Sequence, residues 1–110
     1  MEEKQIDINV VAMEVILNAG NGREDIDLAL KEMEQFHFEE AESLLKQAED
    51  KIVKAHIAQT KVIQSQVSGE ALDYSLLFIH AQDTIMTVNT ELRMTQNMLP
   101  IFKALYEKNN

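Results

Sequence analysis

The sequence predicts an all-α fold, an antiparallel three-helix bundle with long helices, and three observations carry that expectation. Only three glycines and one proline punctuate 110 residues rich in helix formers. Three segments hold an apolar heptad phase over many turns. The breaks between them, around Glu34 to Phe38 and after Ser68, are short, which suits antiparallel neighbours. The whole chain, 1–110, reads as one small domain with helices over about 6–34, 38–67 and 72–108.

In the first helix Ile8, Val15, Gly22 and Ala29 share one heptad position, and Ala12, Ala19, Ile26 and Met33 share the other. The run Asn18-Ala19-Gly20-Asn21-Gly22 carries turn signals. A break there would shift the phase, yet the phase survives. One long helix, bent where the small residues Gly20 to Gly22 allow close packing, is favoured over two shorter ones. In the second helix Ala41, Ala48, Ala55 and Val62 alternate with Leu45, Ile52, Gln59 and Gln66, a small-residue seam that implies tight contact. Ser68-Gly69 closes it, because glycine tolerates the left-handed backbone of a helix terminus. The third helix starts near Leu72 or Tyr74. Its seam is Phe78, Ile85, Leu92, Leu99 and Tyr106, joined by Ala81, Val88, Thr95 and Phe102. Pro100, late in this helix, is expected to kink it or weaken one backbone bond.

The third helix carries a second apolar stripe. At about 100° per residue, Leu76, Ile79, Met86 and Met94 lie roughly opposite the first seam. A wide buried face in a monomer would use such a stripe, and so would self-association. The second is favoured, because the stripe left in water would be a sticky patch.

Charge narrows the partners. Asp and Glu number 19 against 10 Lys and Arg, a formal net of −9. Such a surface repels nucleic acid and anionic membranes, and the basic residues are scattered singly, so neither is an expected partner. The absence of cysteine removes disulfides, thiolate metal sites and thiol nucleophiles. Met1-Glu2-Glu3-Lys4 does not lead from a basic region into an apolar run, and no apolar stretch approaches the ~20 residues of a bilayer span. A soluble cytoplasmic protein is expected.

Chemistry concentrates in His80-Ala81-Gln82-Asp83-Thr84-Ile85-Met86. Asp83 falls in the middle of the second stripe, and His80, Thr84, Thr87 and Glu91 run along its border. A polar pair on such a helix is costly to keep dry unless it is paired, metal-bound or reactive. Histidine suits phosphoryl transfer: its neutral imidazole is nucleophilic near pH 7, and the phosphoramidate formed is labile enough to pass the group on. Gln82 and Thr84 are candidate donors to the phosphoryl oxygens, although Gln82 falls toward another face. Taken alone, one histidine on an apolar helix is more often an ordinary core or surface residue. A zinc site lacks a third ligand on the same helix face. His56, Gln59 and Thr60 form a smaller cluster on the second helix, expected mainly to make buried hydrogen bonds between helices or else to support His80. His37, between Phe36 and Phe38, is expected at the surface. No nucleotide loop, catalytic triad or cofactor fingerprint is present.

The chain resembles the lactose/cellobiose family of enzyme IIA proteins of the bacterial phosphoenolpyruvate-dependent sugar phosphotransferase system. The resemblance is carried by His80-Ala81-Gln82-Asp83 with Ile85-Met86-Thr87, Ala55-His56 with Gln59-Thr60, Ala19-Gly20 with Arg23, Phe38-Glu39-Glu40-Ala41, and Ser68-Gly69-Glu70. It implies that His80 accepts phosphate from the phosphocarrier HPr and passes it to the cysteine of enzyme IIB, the membrane being met only through enzyme IIC. It further implies a homotrimer in which Asp83 from each subunit meets its symmetry mates on the threefold axis around a divalent cation. Converging carboxylates repel unless a cation or protons separate them, and oxygen-only ligands favour magnesium. One departure stands out: many relatives carry a second histidine four residues after the first, where this chain has Thr84. The alternative function is a non-catalytic helical interaction or regulatory module assembled through the same stripe.

Overall fold

The computed structural model describes residues 7–69 and 74–110, which form three helices: α1 (Ile8–Glu34), α2 (Phe38–Val67) and α3 (Leu76–Lys108). The expected starts of the first helix at 6 and of the third at Leu72 lie outside the described residues, while the alternative start at Tyr74 falls before α3, which begins at Leu76 behind its cap Ser75. Asp7 caps α1, accepting from the backbone N–H groups of Asn9 and Val10 at 3.1 and 3.3 Å. Ser75 caps α3 through the Phe78 N–H at 3.0 Å, and its hydroxyl also donates to Asn9 Oδ1 at 2.6 Å. That bond joins the first turns of α1 and α3. Further along, Arg23 on α1 grips Glu91 on α3 at 2.7 and 2.9 Å. The two contacts fix the topology as up-down-up, with α1 and α3 parallel and α2 antiparallel to both.

The α1 helix runs unbroken through Gly20 and Gly22, so the heptad phase outweighed the turn signals. A Cβ on Gly22 would stand 3.2 Å from Ile52 Cγ1 and 3.4 Å from the Ala48 carbonyl, whereas one on Gly20 would meet nothing within 4 Å. Only Gly22 is needed for helix packing. Gly20→Ala is therefore expected to raise stability by about 0.5–1 kcal/mol through helix propensity. Gly22→Ala should lower it, and urea unfolding of the two variants checks the opposite signs.

The core is formed by the predicted positions of α1 and by Ala41, Leu45, Ala48, Ile52, Ala55 and Val62 of α2 and Phe78, Ala81, Ile85, Val88 and Leu92 of α3. It also contains Asp25, buried and held by Lys51 Nζ of α2 at 2.6 Å. Lys51→Met would leave that carboxylate without its counter-charge. Allowing for the partial exposure of the lysine, the loss should be about 2 kcal/mol. Adding Asp25→Leu to the same chain should restore most of it, as equilibrium unfolding would register.

At both bundle ends the predicted seams overrun the core. Gln66 is exposed in the last turn of α2, and Phe102 and Tyr106 are exposed in α3. The cause is length: α1 ends at Glu34, while α3 continues for two further turns with no helix to cover them. The α1–α2 turn partly compensates. Its Phe36 adopts φ 63° at the position after the α1 cap, where the His37 N–H reaches the Glu32 carbonyl at 2.9 Å and the Phe36 N–H reaches Met33 at 3.0 Å. This closure usually employs glycine. Here the Phe36 ring stacks on Tyr106 at 4.6 Å, offsetting the backbone strain. His37 is exposed as expected and its Nδ1 lies 2.8 Å from Glu32 Oε2. At the other turn, Gly69 has φ +90°, the conformation its predicted role requires. The α3 helix continues through Pro100 to Lys108.

Candidate active site

His80 sits just over one turn into α3, on the edge facing α1, the same edge from which Glu91 reaches Arg23. Its side chain is exposed. Its backbone carbonyl accepts the Thr84 hydroxyl at 2.8 Å, and among the described residues nothing hydrogen-bonds the ring. An unburied, unpartnered imidazole is what a group that must meet another protein requires.

The surroundings of His80 are less polar than the sequence promised. Thr84 follows it by one turn, but its hydroxyl hydrogen is given to the His80 carbonyl. It therefore presents oxygen lone pairs, and donation to a phosphoryl group needs a turn about χ1. Thr87 and Thr90 bond backward in the same way, to Asp83 and Met86 at 2.8 and 3.1 Å. Gln82 is half-buried and stands about 200° around the helix from His80, so within one protomer the two are not brought together. Gln82 shares its edge with Met86 and Asn89, which border α2, and with Gln96, which reaches Glu49 at 3.3 Å.

Asp83 is exposed on the outward face of α3. Leu76, Ile79, Met86 and Met94 are exposed beside it, Leu76 and Met86 by 69% and 68%, so the second stripe is a real surface of the protomer. Only the Asp83 carbonyl is engaged, by Thr87; the carboxylate has no ion-pair partner among the described residues. No group of three or more His, Cys, Asp or Glu side chains able to hold a metal occurs within one chain among the described residues. A cation on Asp83 would need ligands from elsewhere.

On α2, Thr60 donates to the His56 carbonyl at 2.8 Å, His56 is exposed, and Gln59 is buried with its Oε1 unpaired. The expected hydrogen bonds between helices are not made: Thr60 bonds within its own helix, His56 points to the surface, and the buried Gln59 Oε1 finds no donor among the described residues. The structure also exposes a feature the heptad reading passed over. Val10, Met13 and Leu17 of α1, at spacing i, i+3, i+7, form an exposed apolar strip facing away from the core. That spacing was visible in the sequence as a second period outside the seam.

An exposed histidine beside an uncovered apolar helix face suits a protein-to-protein group carrier. The family model for the lactose/cellobiose-specific IIA subunit of the phosphotransferase system matches residues 10–103. The lichenan-specific phosphotransferase enzyme IIA component of Bacillus subtilis is 32% identical over 98 residues, 89% of each chain. The crystal structure of the cellobiose-specific enzyme IIA from Bacillus anthracis superposes with a TM-score of 0.87 at 32% identity, covering 96% of both chains. A chain in the solution structures of the IIA(Chitobiose)–HPr complex superposes at 0.79 with 25% identity, covering 93% of this chain and 99% of that one. The protein belongs to the lactose/cellobiose family of enzyme IIA components and is a phosphotransferase of the sugar phosphotransferase system. No described helix is long and apolar enough to cross a membrane.

Proposed function

We propose that this enzyme IIA carries phosphate on His80, accepting it from HPr and passing it to the cysteine of enzyme IIB during uptake of a lactose/cellobiose-type sugar. The observation that supports this most directly is the exposed, unpartnered imidazole of His80 at the border of the α3 stripe. The reaction needs little else from the chain. A ring nitrogen attacks phosphorus in line, the bond to the donor's leaving atom breaks, and the group is held until the next acceptor arrives. Relatives of comparable similarity are named for lichenan, cellobiose and chitobiose, which supports leaving the choice of sugar to the permease. The protein would act in the cytoplasm and meet the membrane only through enzyme IIC.

The α3 stripe would be covered in a homotrimer, with Asp83 of each subunit converging on the axis. One chain offers one uncommitted carboxylate there, and three would make an oxygen-only site suited to magnesium. Such an ion would supply charge neutralisation for assembly; His80 alone forms the phosphoryl bond.

Incubation with phosphoenolpyruvate, enzyme I and HPr should place one acid-labile phosphate per chain, stable in alkali. Mass spectrometry of the alkaline product should locate it at His80. Label on any other residue, or undiminished label after His80→Ala, would refute the assignment. The back-bonded hydroxyl of Thr84 favours a second reading, a non-catalytic interaction module. An intact protein that assembles but never labels would establish that reading instead.

A further inference from the structure

Where α3 outruns α1, the end of the bundle holds a cleft that the carrier reading does not use. Its volume is about 590 Å³, and it is lined by Leu30 and Met33 of α1, Phe36 of the turn, and Phe102, Leu105 and Tyr106 of α3. That size and that largely apolar wall suit a small organic molecule. One unusual residue shapes the cleft. Phe36 holds φ 63°, a conformation that glycine adopts freely and phenylalanine adopts under strain. A glycine there would close the turn equally well and leave the cleft without a wall. The stack on Tyr106 at 4.6 Å instead holds the Phe36 ring in place beside the cavity. Backbone strain of this kind gathers at ligand clamps.

The polar atoms at the mouth select the charge of the occupant. Glu34 is the charged side chain among the lining residues; it is exposed and has no ion-pair partner among the described residues. Asn109 and Asn110, also in the lining, donate amide N–H groups to the Leu105 and Tyr106 carbonyls at 2.8 Å. That engages the nitrogen of each side chain and leaves its oxygen as the freer group. Acceptors at the rim and the negative potential of aromatic faces within both favour a cation. The formal net charge of −9 acts in the same direction.

We propose that this cleft binds a small organic cation, an ammonium group carried on an aromatic or short alkyl body. The body lies against the Phe36, Phe102 and Tyr106 rings, and the ammonium meets the Glu34 carboxylate. The site belongs to one chain: Phe102 and Tyr106 stand about 100° and 140° around α3 from Asp83, away from the stripe. It is also independent of phosphoryl transfer, because Tyr106 lies roughly 40 Å along the helix from His80.

Titration of the full chain with 4-phenylbutylamine, followed by ¹H–¹⁵N spectra, tests the assignment. Shifts should concentrate at residues 30–36 and 102–110, with a Kd on the order of 1 mM for so small a ligand. The carboxylate 4-phenylbutanoate has the same body and the opposite charge, and should bind at least about fivefold more weakly. Glu34→Gln should shrink that preference to about twofold. Phe36→Gly relieves the backbone, so its spectrum should remain that of the folded bundle. Its affinity for the amine should nevertheless fall about three- to tenfold with the loss of the ring. No shift at this end at about ten times the expected Kd would overturn the proposal. So would equal binding of amine and carboxylate, or undiminished affinity in Phe36→Gly. If diluting the protein alone moved the same residues and the amine then moved them no further, a second copy would be the occupant, and the cation site would be refuted.

Discussion

A chain carrying His80→Gln is expected to take no phosphate from phospho-HPr, with a loss on the order of a thousandfold or more, as follows removal of a covalent nucleophile. Glutamine keeps the polarity and approximate bulk of the side chain and is a better helix former than histidine. His80 is exposed and its ring has no partner among the described residues, so folding should be indifferent to the change. Circular dichroism and melting temperature should match the wild type while labelling vanishes. The other two histidines sharpen the test, because His37 and His56 are exposed as well. A small chemical donor such as phosphoramidate should modify all three at comparable rates. The protein donor should select His80 alone, because only that ring lies on the α3 edge beside the stripe. If phospho-HPr labelled His56 in the His80→Gln chain at a similar rate, selection by docking would be disproved.

Much of this architecture is legible in the sequence, and the parts that are not have identifiable causes. Heptad phase located the core because burial on one side of a helix is periodic, and it carried α1 correctly through Gly20 and Gly22. The same periodicity misplaced Gln66, Phe102 and Tyr106, since a repeat continues past the point where neighbouring helices stop. Heptads also passed over Asp25. Its burial depends on one cation, Lys51, on another helix, and a pairing between helices leaves no periodic trace.

At the site, the run from His80 to Asp83 was readable as a reactive stretch because a histidine and a carboxylate bordered an apolar stripe. Its hydrogen bonding was not. Thr84 could donate to a ligand or to its own helix, and the backbone carbonyl four residues earlier is always within reach. Gln59 went the other way. It looked like a cross-helix hydrogen bond, but its buried Oε1 meets no donor, because whether a neighbouring helix offers one is settled only by packing.

Asp83 supplies the second large effect, on assembly rather than chemistry. Three carboxylates brought to ~5 Å at an effective dielectric of about 20 repel by roughly 3 kcal/mol per pair, enough to oppose a seam of exposed Leu76, Ile79, Met86 and Met94. A cation bound there, as proposed above, would reverse that sign, and chelator should then weaken the wild-type trimer at least tenfold in its dissociation midpoint. Asp83→Leu removes the charge and extends the apolar stripe, and its trimer should be tighter and indifferent to chelator. Asp83→Lys keeps a like-charge cluster that no cation can neutralise, and should be monomeric at micromolar concentration. Light scattering across a dilution series, with and without EDTA, reads all three. The decisive comparison is between leucine and lysine: equal assembly of the two would mean that residue 83 does not face its symmetry mates, and monomers throughout would mean that the α3 stripe is covered by something other than a second copy.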